Sequence, residues 1–219
     1  MQLFDIIGPV MIGPSSSHTA GAARIGRVTR MLLGEDVQEA QIRFHGSFAK
    51  TWAGHGADRA VIGGLLGFRV DDERLRNSRE LADKQGMRYT ITETQLRDAH
   101  PNTVIIDALG VHGARVQVQA ASVGGGSILV QYLNGMEVGF SGERTTLIIQ
   151  HRDTPGVIAQ VSQMLAWAHM NIATMRVFRE DKGGRAVMAL ELDSVPEDKL
   201  LDSLRAMDAF ENVTLLKQL

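Results

Sequence analysis

Ser15-Ser16-Ser17-His18-Thr19 sets four hydroxyls and an imidazole side by side, directly after Gly13-Pro14. A Gly-Pro start fixes a turn. Serines ahead of an apolar-periodic stretch (Ile25, Val28, Leu32) can cap the free N–H groups of a helix. Hydroxyls together with exposed backbone donors at a positive dipole end also receive a carboxylate or a phosphate, and a histidine beside them can move a proton near neutral pH. The plain alternative is a cap made by one serine with His18 merely packed, although three serines exceed what one cap needs. A second group runs from His45-Gly46-Ser47 through Gly54-His55-Gly56-Ala57-Asp58 to Gly63-Gly64. Glycines around His55 admit a ligand or another backbone; tight helix packing with His45 and His55 as satisfied polar residues is the competing account.

Three smaller signals follow. His100-Pro101-Asn102-Thr103 either offers Asn102 or Thr103 to a ligand or simply turns the chain. Gly124-Gly125-Gly126-Ser127 is either a cradle of N–H groups for an anion or a flexible hairpin. In His151-Arg152-Asp153-Thr154-Pro155-Gly156, Asp153 or Thr154 can cap a helix, Pro155 suits its first turn, and Gly156 opens the backbone. An amino-acid zwitterion would set its carboxylate on those helix N–H groups and its ammonium on Asp153, with Asn171 opening the next strand; a capped helix without a ligand fits the same spacing.

The elements that must position these residues fall into two halves. A seam at Gly139-Phe140-Ser141-Gly142 divides a domain over 1–140 from one over 145–219. Downstream the pattern predicts strand 145–150, helix 156–168, strands 172–179 and 185–192, helix 196–207 and strand 213–217, a βαββαβ order that suits a ferredoxin-like split βαβ sandwich. Upstream it predicts helices over 17–33, 51–66 and 71–84, and strands near 41–45, 87–92, 103–109, 114–122 and 128–133. Asn134-Gly135 is a hairpin turn signal. Strands and helices without strict alternation give an α+β class.

Composition narrows the functions. A net charge of −2 leaves no electrostatic footprint for nucleic acid or an anionic membrane. With no apolar run near the roughly 20 residues of a bilayer span and no signal-peptide layout, a cytoplasmic protein is expected. No His-x-x-x-His spacing and no strand–GxGxxG–helix order occur, which argues against a private metal site and an NAD enzyme. The chain has no cysteine, so disulfides, zinc–thiolate sites and a thiolate-held cluster made by this chain are excluded.

With these motifs in order (Ile12 to Thr19, Gly54-His55-Gly56 with Asp58, His100 to Thr103, and Gly124 to Gly126), the chain resembles the beta subunits of two-chain, iron–sulfur-dependent L-serine dehydratases, a lyase family. The resemblance implies a partner alpha subunit that holds a 4Fe-4S cluster through its own cysteines, and conversion of L-serine to pyruvate and ammonia. It implies a catalytic His18 as proton carrier, and substrate binding by Ser15, Ser16, Ser17, Thr19, His55 and Asn102. The N-terminal half is also similar to the allosteric substrate-binding domain of some phosphoglycerate dehydrogenases. Residues 145–219 resemble an ACT domain, which implies self-association and an amino-acid effector held by His151, Asp153 and Asn171. Serine-sensing relatives usually carry asparagine where this chain has Asp153. The other function to weigh is a non-catalytic, amino-acid-sensing regulatory subunit.

Overall fold

The structure is a computed structural model that describes Ile12 and residues 15–218. Gly13 and Pro14, read above as the turn ahead of the serines, lie outside the described residues. The chain divides into two compact units, the first ending at Asn134 and the second spanning Gly135–Gln218. At the division Asn134 and Gly135 both take positive φ, +52° and +81°, as the tight hairpin turn requires.

In the first unit a π-helical turn, Ser16–Gly21, runs without interruption into α1 (Ala22–Leu33). Gly34 ends α1 in the left-handed conformation, with its N–H donated to the Arg30 carbonyl. Then follow β1 (Val37–His45), α2 (Gly46–His55), α3 (Ala57–Leu65), a 3-10 turn (Glu73–Asn77) and α4 (Ser78–Lys84). The strands β2 (Arg88–Thr94), β3 (Thr103–Gly110), β4 (Arg115–Gly124) and β5 (Ser127–Leu133) complete the unit. Within it the sheet order is β2-β1-β3-β4-β5. Among the described residues of this unit only the β1–β2 pair is parallel, because α2 to α4 form the crossover between those strands. Inward residues Ile42, Phe44, Val104, Ile106, Val118 and Ala120 are buried, as are Ile25 and Val28 of α1 and Val61, Ile62 and Leu65 of α3. Burying these aliphatic faces is what holds the helix layer on the sheet.

Three predicted helices differ in detail. The helix expected over 17–33 begins as a π-turn. The one expected over 51–66 starts at Gly46 and is broken at Gly56, whose φ of +71° ends α2 and caps α3 at once. The stretch over 71–84 is a 3-10 turn and a short helix. Glycine is permissive of φ > 0 where periodicity sees only a continuous apolar stripe, so the break at Gly56 is invisible to a periodicity count.

The second unit opens with β6 (Met136–Phe140) and continues through β7 (Thr145–Arg152), α5 (Val157–Trp167), β8 (Ile172–Arg179), β9 (Arg185–Leu192), α6 (Asp198–Arg205) and β10 (Phe210–Leu216). The sheet order β10-β7-β9-β8, all antiparallel, with both helices contributing to one core (Leu147, Ile149, Val157, Val161, Leu165, Leu201, Leu204), is the βαββαβ sandwich. The division of contacts lies upstream of the Gly139–Gly142 seam because β6 packs on β8 and β9. Glu191 holds this region: its buried carboxylate accepts from Ser141 N–H, Ser141 Oγ (2.8 Å) and Thr174 Oγ1 (2.7 Å). Burial by itself would raise its pKa, but these hydrogen bonds and the Arg144 charge outweigh burial and hold it below the ordinary value.

α1 and α3 approach closely through glycine. A Cβ on Gly64 would collide with the Ala23 carbonyl oxygen and stand 2.7 Å from Arg27 N, and one on Gly26 would collide with the Val61 carbonyl oxygen. These are backbone atoms, so no rotamer change relieves the clash. Gly64→Ala is therefore expected to destabilise the protein by about 1–3 kcal/mol or more, read as a lower urea midpoint at unchanged m-value; a midpoint equal to the parent's would refute the close approach.

Candidate active site

Ser15 is the N-cap of the π-turn. Its Oγ accepts from His18 N at 3.1 Å and lies 3.3 Å from His18 Nδ1. Short π-helical segments are rare, and they concentrate where a side chain must be aimed. Here the turn aims His18 edge-on at Phe48 and at His55, with both ring centroids 5.1 Å away. Phe48 sits on the first turn of α2, which is anchored by Ser47 N and Phe48 N donating to the Pro101 carbonyl (2.6 and 3.3 Å). His55 is the last residue of α2.

The neighbourhood is rich in buried polar atoms with no hydrogen-bond partner among the described residues: His18 Nε2, Thr19 Oγ1, Asn102 Oδ1 and Ser122 Oγ. Such atoms are costly unless something satisfies them, and two of them on adjacent residues of the π-turn are unusual for a merely packed turn. Gly21 brings the π-turn onto β4 so closely that a Cβ there would collide with Ser122 Oγ. Asn102 joins through its carbonyl, which accepts from Ser122 N at 3.0 Å. Ser15, Ser16 and Ser17 are half-buried and His55 is exposed. Burial first, and the nearby His55 charge second, hold the His18 pKa below its ordinary 6.5.

Of the residues read from sequence, His18, Thr19 and His55 are thus brought together at the π-turn, with Phe48 beside them, and Asn102 is linked to it by Ser122. Other residues have partners within the protein. His45 Nδ1 accepts from Leu96 N at 3.2 Å, and buried Asp58 pairs its Oδ2 with Arg79 while its Oδ1 has no partner among the described residues. Thr103 donates to the His100 carbonyl, closing the turn there. The Gly124–Gly126 turn meets α1, with Arg24 Nη1 donating to the Gly126 carbonyl at 2.8 Å. Sequence reasoning missed Ser122, which lies inside a strand and carries no motif, and it missed two arginines, Arg59 and Arg76, that line a cavity with Thr19 and His55.

In the second unit neither Asp153 nor Thr154 caps α5. Gly156 is the cap residue, at φ +91° and with no side-chain hydrogen bond. Asp153 is instead turned to the β8–β9 connection, accepting from Gly183 N (3.1 Å) and Arg179 Nη1 (2.8 Å). Those hydrogen bonds, Gly183 first, lower its pKa. His151 is buried, with Nδ1 2.8 Å from the Arg152 carbonyl and Nε2 unpartnered among the described residues. Asn171 is exposed and donates to Asp193 Oδ2 at 2.6 Å. The ladder sets His151 opposite Ala186 and Arg179 at one end of the sheet, and Thr145, Leu192 and Ile172 at the other. Asn171 is therefore about 20 Å along the strands from His151, at roughly 3.3 Å per residue.

A family profile described as serine dehydratase beta chain matches residues 2–94, and one described as ACT domain matches residues 145–209. The chain is 43% identical to the "Probable L-serine dehydratase, beta chain" of Bacillus subtilis (strain 168), over 97% of this chain and 96% of that protein. The chain belongs to the L-serine dehydratase beta-chain family. The L-serine dehydratase beta chain of Peptoniphilus asaccharolyticus is 36% identical over 94% of both chains. A D-3-phosphoglycerate dehydrogenase of Bacillus subtilis (strain 168) is 29% identical over 89% of this chain and 37% of its own length. This beta-chain family member carries its ACT domain on the four-stranded second sheet, and no helix among the described residues is long and apolar enough to cross a membrane.

The His18 titration follows from this geometry. His55→Gln removes the second cause of the depressed value, so the His18 midpoint should move upward, read by NMR of the ring resonances; a midpoint that stays put or falls refutes the electrostatic contact. The sign for stability is that of a lowered folded-state pKa: the contribution is present above about 6.5 and is lost as pH falls through the folded value.

Proposed function

We propose that this chain is the beta subunit of an L-serine ammonia-lyase, and that at a junction with an alpha subunit it grips the substrate and moves the α-proton. The observation that carries this is His18: a ring held toward its neutral form, with Nε2 buried and unpartnered, amid Thr19, Asn102 and Ser122 atoms in the same condition. In the tautomer whose Nδ1–H donates to Ser15 Oγ, Nε2 carries the free lone pair that a base needs. His18 Nε2 takes the α-proton and returns it to the departing β-hydroxyl, which leaves as water, and the aminoacrylate so formed hydrolyses to pyruvate and ammonia. Ser15, Ser16, Ser17, Thr19, His55 and Asn102 supply donors for the substrate carboxylate and hydroxyl.

An iron–sulfur cluster does not fit this chain's own residues. There is no cysteine, and no group of three His, Asp or Glu that could hold a metal occurs among the described residues. The 4Fe-4S cluster is accordingly assigned to the alpha subunit's thiolates, and no step on this chain runs through it. The working compartment is the cytoplasm, where thiols stay reduced.

The ACT unit is assigned an amino-acid effector held by His151, Asp153 and Asn171. Since Asn171 lies at the far end of the sheet from the other two, a single copy does not close the set. β8 is an edge strand, and antiparallel pairing of two β8 edges carries Asn171 of the partner subunit to the Arg179 end, where Asp153 stands. Self-association through this edge is thus part of the proposal.

Anaerobic reconstitution with the cluster-bearing chain tests the catalytic part. His18→Ala is expected to lower kcat for pyruvate formation by about 10²–10⁴-fold; an unchanged kcat returns the chain to a regulatory role. For the effector, Asp153→Ala and Asn171→Ala should each weaken L-serine binding to the ACT unit in calorimetry, and Asn171→Ala should do so only where sedimentation shows self-association. Equal binding by monomer and dimer would contradict the shared site.

A further inference from the structure

The first unit contains a cavity of about 300 Å³ whose nine lining residues include Thr19, Gly54, His55, Gly56, Arg59 and Arg76. Its volume suits a small metabolite, at the lower end of the range for ligand pockets. Its charge is one-sided. None of the lining residues is a carboxylate, and neither Arg59 nor Arg76 enters an ion pair among the described residues. Their neighbours differ, since Arg74 is committed to Asp72 and Arg79 to Asp58. Arg59 and Arg76 are both exposed at the edge of this space, and two positive charges bordering it without a counter-charge favour the entry of an anion. Guanidinium also offers paired N–H donors in the planar geometry that a carboxylate accepts.

Thr19 supplies an independent observation. The residue is only 5% exposed, it lines this cavity, and its Oγ1 has no hydrogen-bond partner among the described residues. A buried hydroxyl left unsatisfied by the protein carries a penalty that a ligand oxygen can remove. Access is built into the backbone: an added Cβ on Gly54 or Gly56 would meet nothing within 4 Å, so the rim beside His55 is open. His55 in turn stands with its ring centroid 5.1 Å from that of His18, which sets the cavity next to the proposed proton carrier.

We propose that this cavity takes the carboxylate of the three-carbon amino acid, with Arg59 and Arg76 as its counter-charges and Thr19 Oγ1 donating to one carboxylate oxygen. The assignment rests on the reading of the chain as part of a serine-eliminating enzyme and adds two carboxylate-binding residues from outside the serine motif. Pyruvate keeps the carboxylate, so the product competes for the same cavity. An amine lacking the carboxylate does not.

The test uses the assembled enzyme and 3-hydroxypropionate, which has the carboxylate and hydroxyl but no ammonium. In Arg59→Gln and Arg76→Gln the Kd of 3-hydroxypropionate and the KM for L-serine are expected to rise about 10–100-fold, more than kcat falls, with partial recovery in the lysine variants. Thr19→Val should weaken both while its Tm is no lower than the parent's, because the free protein loses no hydrogen bond. Kd and KM within twofold of the parent in both arginine variants overturn the proposal. Because Kd is read without turnover, that failure is distinct from failure of the proton-transfer role, which appears only as an unchanged kcat in His18→Ala.

Discussion

Two helices of the first unit touch backbone to backbone, and the placement of the His18 ring follows from that contact. Gly26 and Gly64 let α1 and α3 approach so closely that no side chain fits between them at the crossing. The π-turn is continuous with α1, so its position is inherited from the helix pair, and Gly21 seats its other side against Ser122 of β4. His18 is therefore fixed from two directions by contacts in which the missing atom is a Cβ. Of the two readings weighed for the glycine-rich stretch, tight packing is met at Gly63-Gly64, while Gly54 and Gly56 border open space.

Much of this was legible in the residues. The βαββαβ order of the second unit followed from strong apolar periodicity in α5 and alternation in the strands, and the turn at Asn134-Gly135 followed from its dipeptide. The serine–histidine motif was recognisable because hydroxyls and an imidazole in one run exceed what a cap uses. What escaped notice has physical reasons. Ser122 lies in the interior of β4, where a polar residue looks like any outward position until its burial is known. Arg59 and Arg76 belong to different elements and meet only through the break at Gly56 and the 3-10 turn. Arg76 sat in a charged stretch that reads as solvated surface.

The candidate effector residues illustrate a different limit. His151, Asp153 and Asn171 are close in sequence order to where an amino acid would be expected, yet the ladder separates them along the strands. Spacing alone carries no register. Asp153 was read as a cap or an ammonium partner, and its carboxylate is occupied by Arg179 and Gly183. That ties the β7–α5 loop to the β8–β9 connection, so any cation reaching Asp153 meets a guanidinium already there.

The one parallel pairing among the described residues, β1 with β2, has a kinetic meaning. Glu39 and Arg88, joined across it at 2.8 Å, are 49 positions apart along the chain. Every element carrying His55, Arg59 and Arg76 lies inside that excursion. Closing so long a loop is entropically slow, and its reward arrives only once the strands meet. The antiparallel meander of β3, β4 and β5, joined by short turns, has no such delay. The side of the cavity that Gly54, His55, Arg59 and Arg76 supply is thus expected to be enclosed later in folding than the meander.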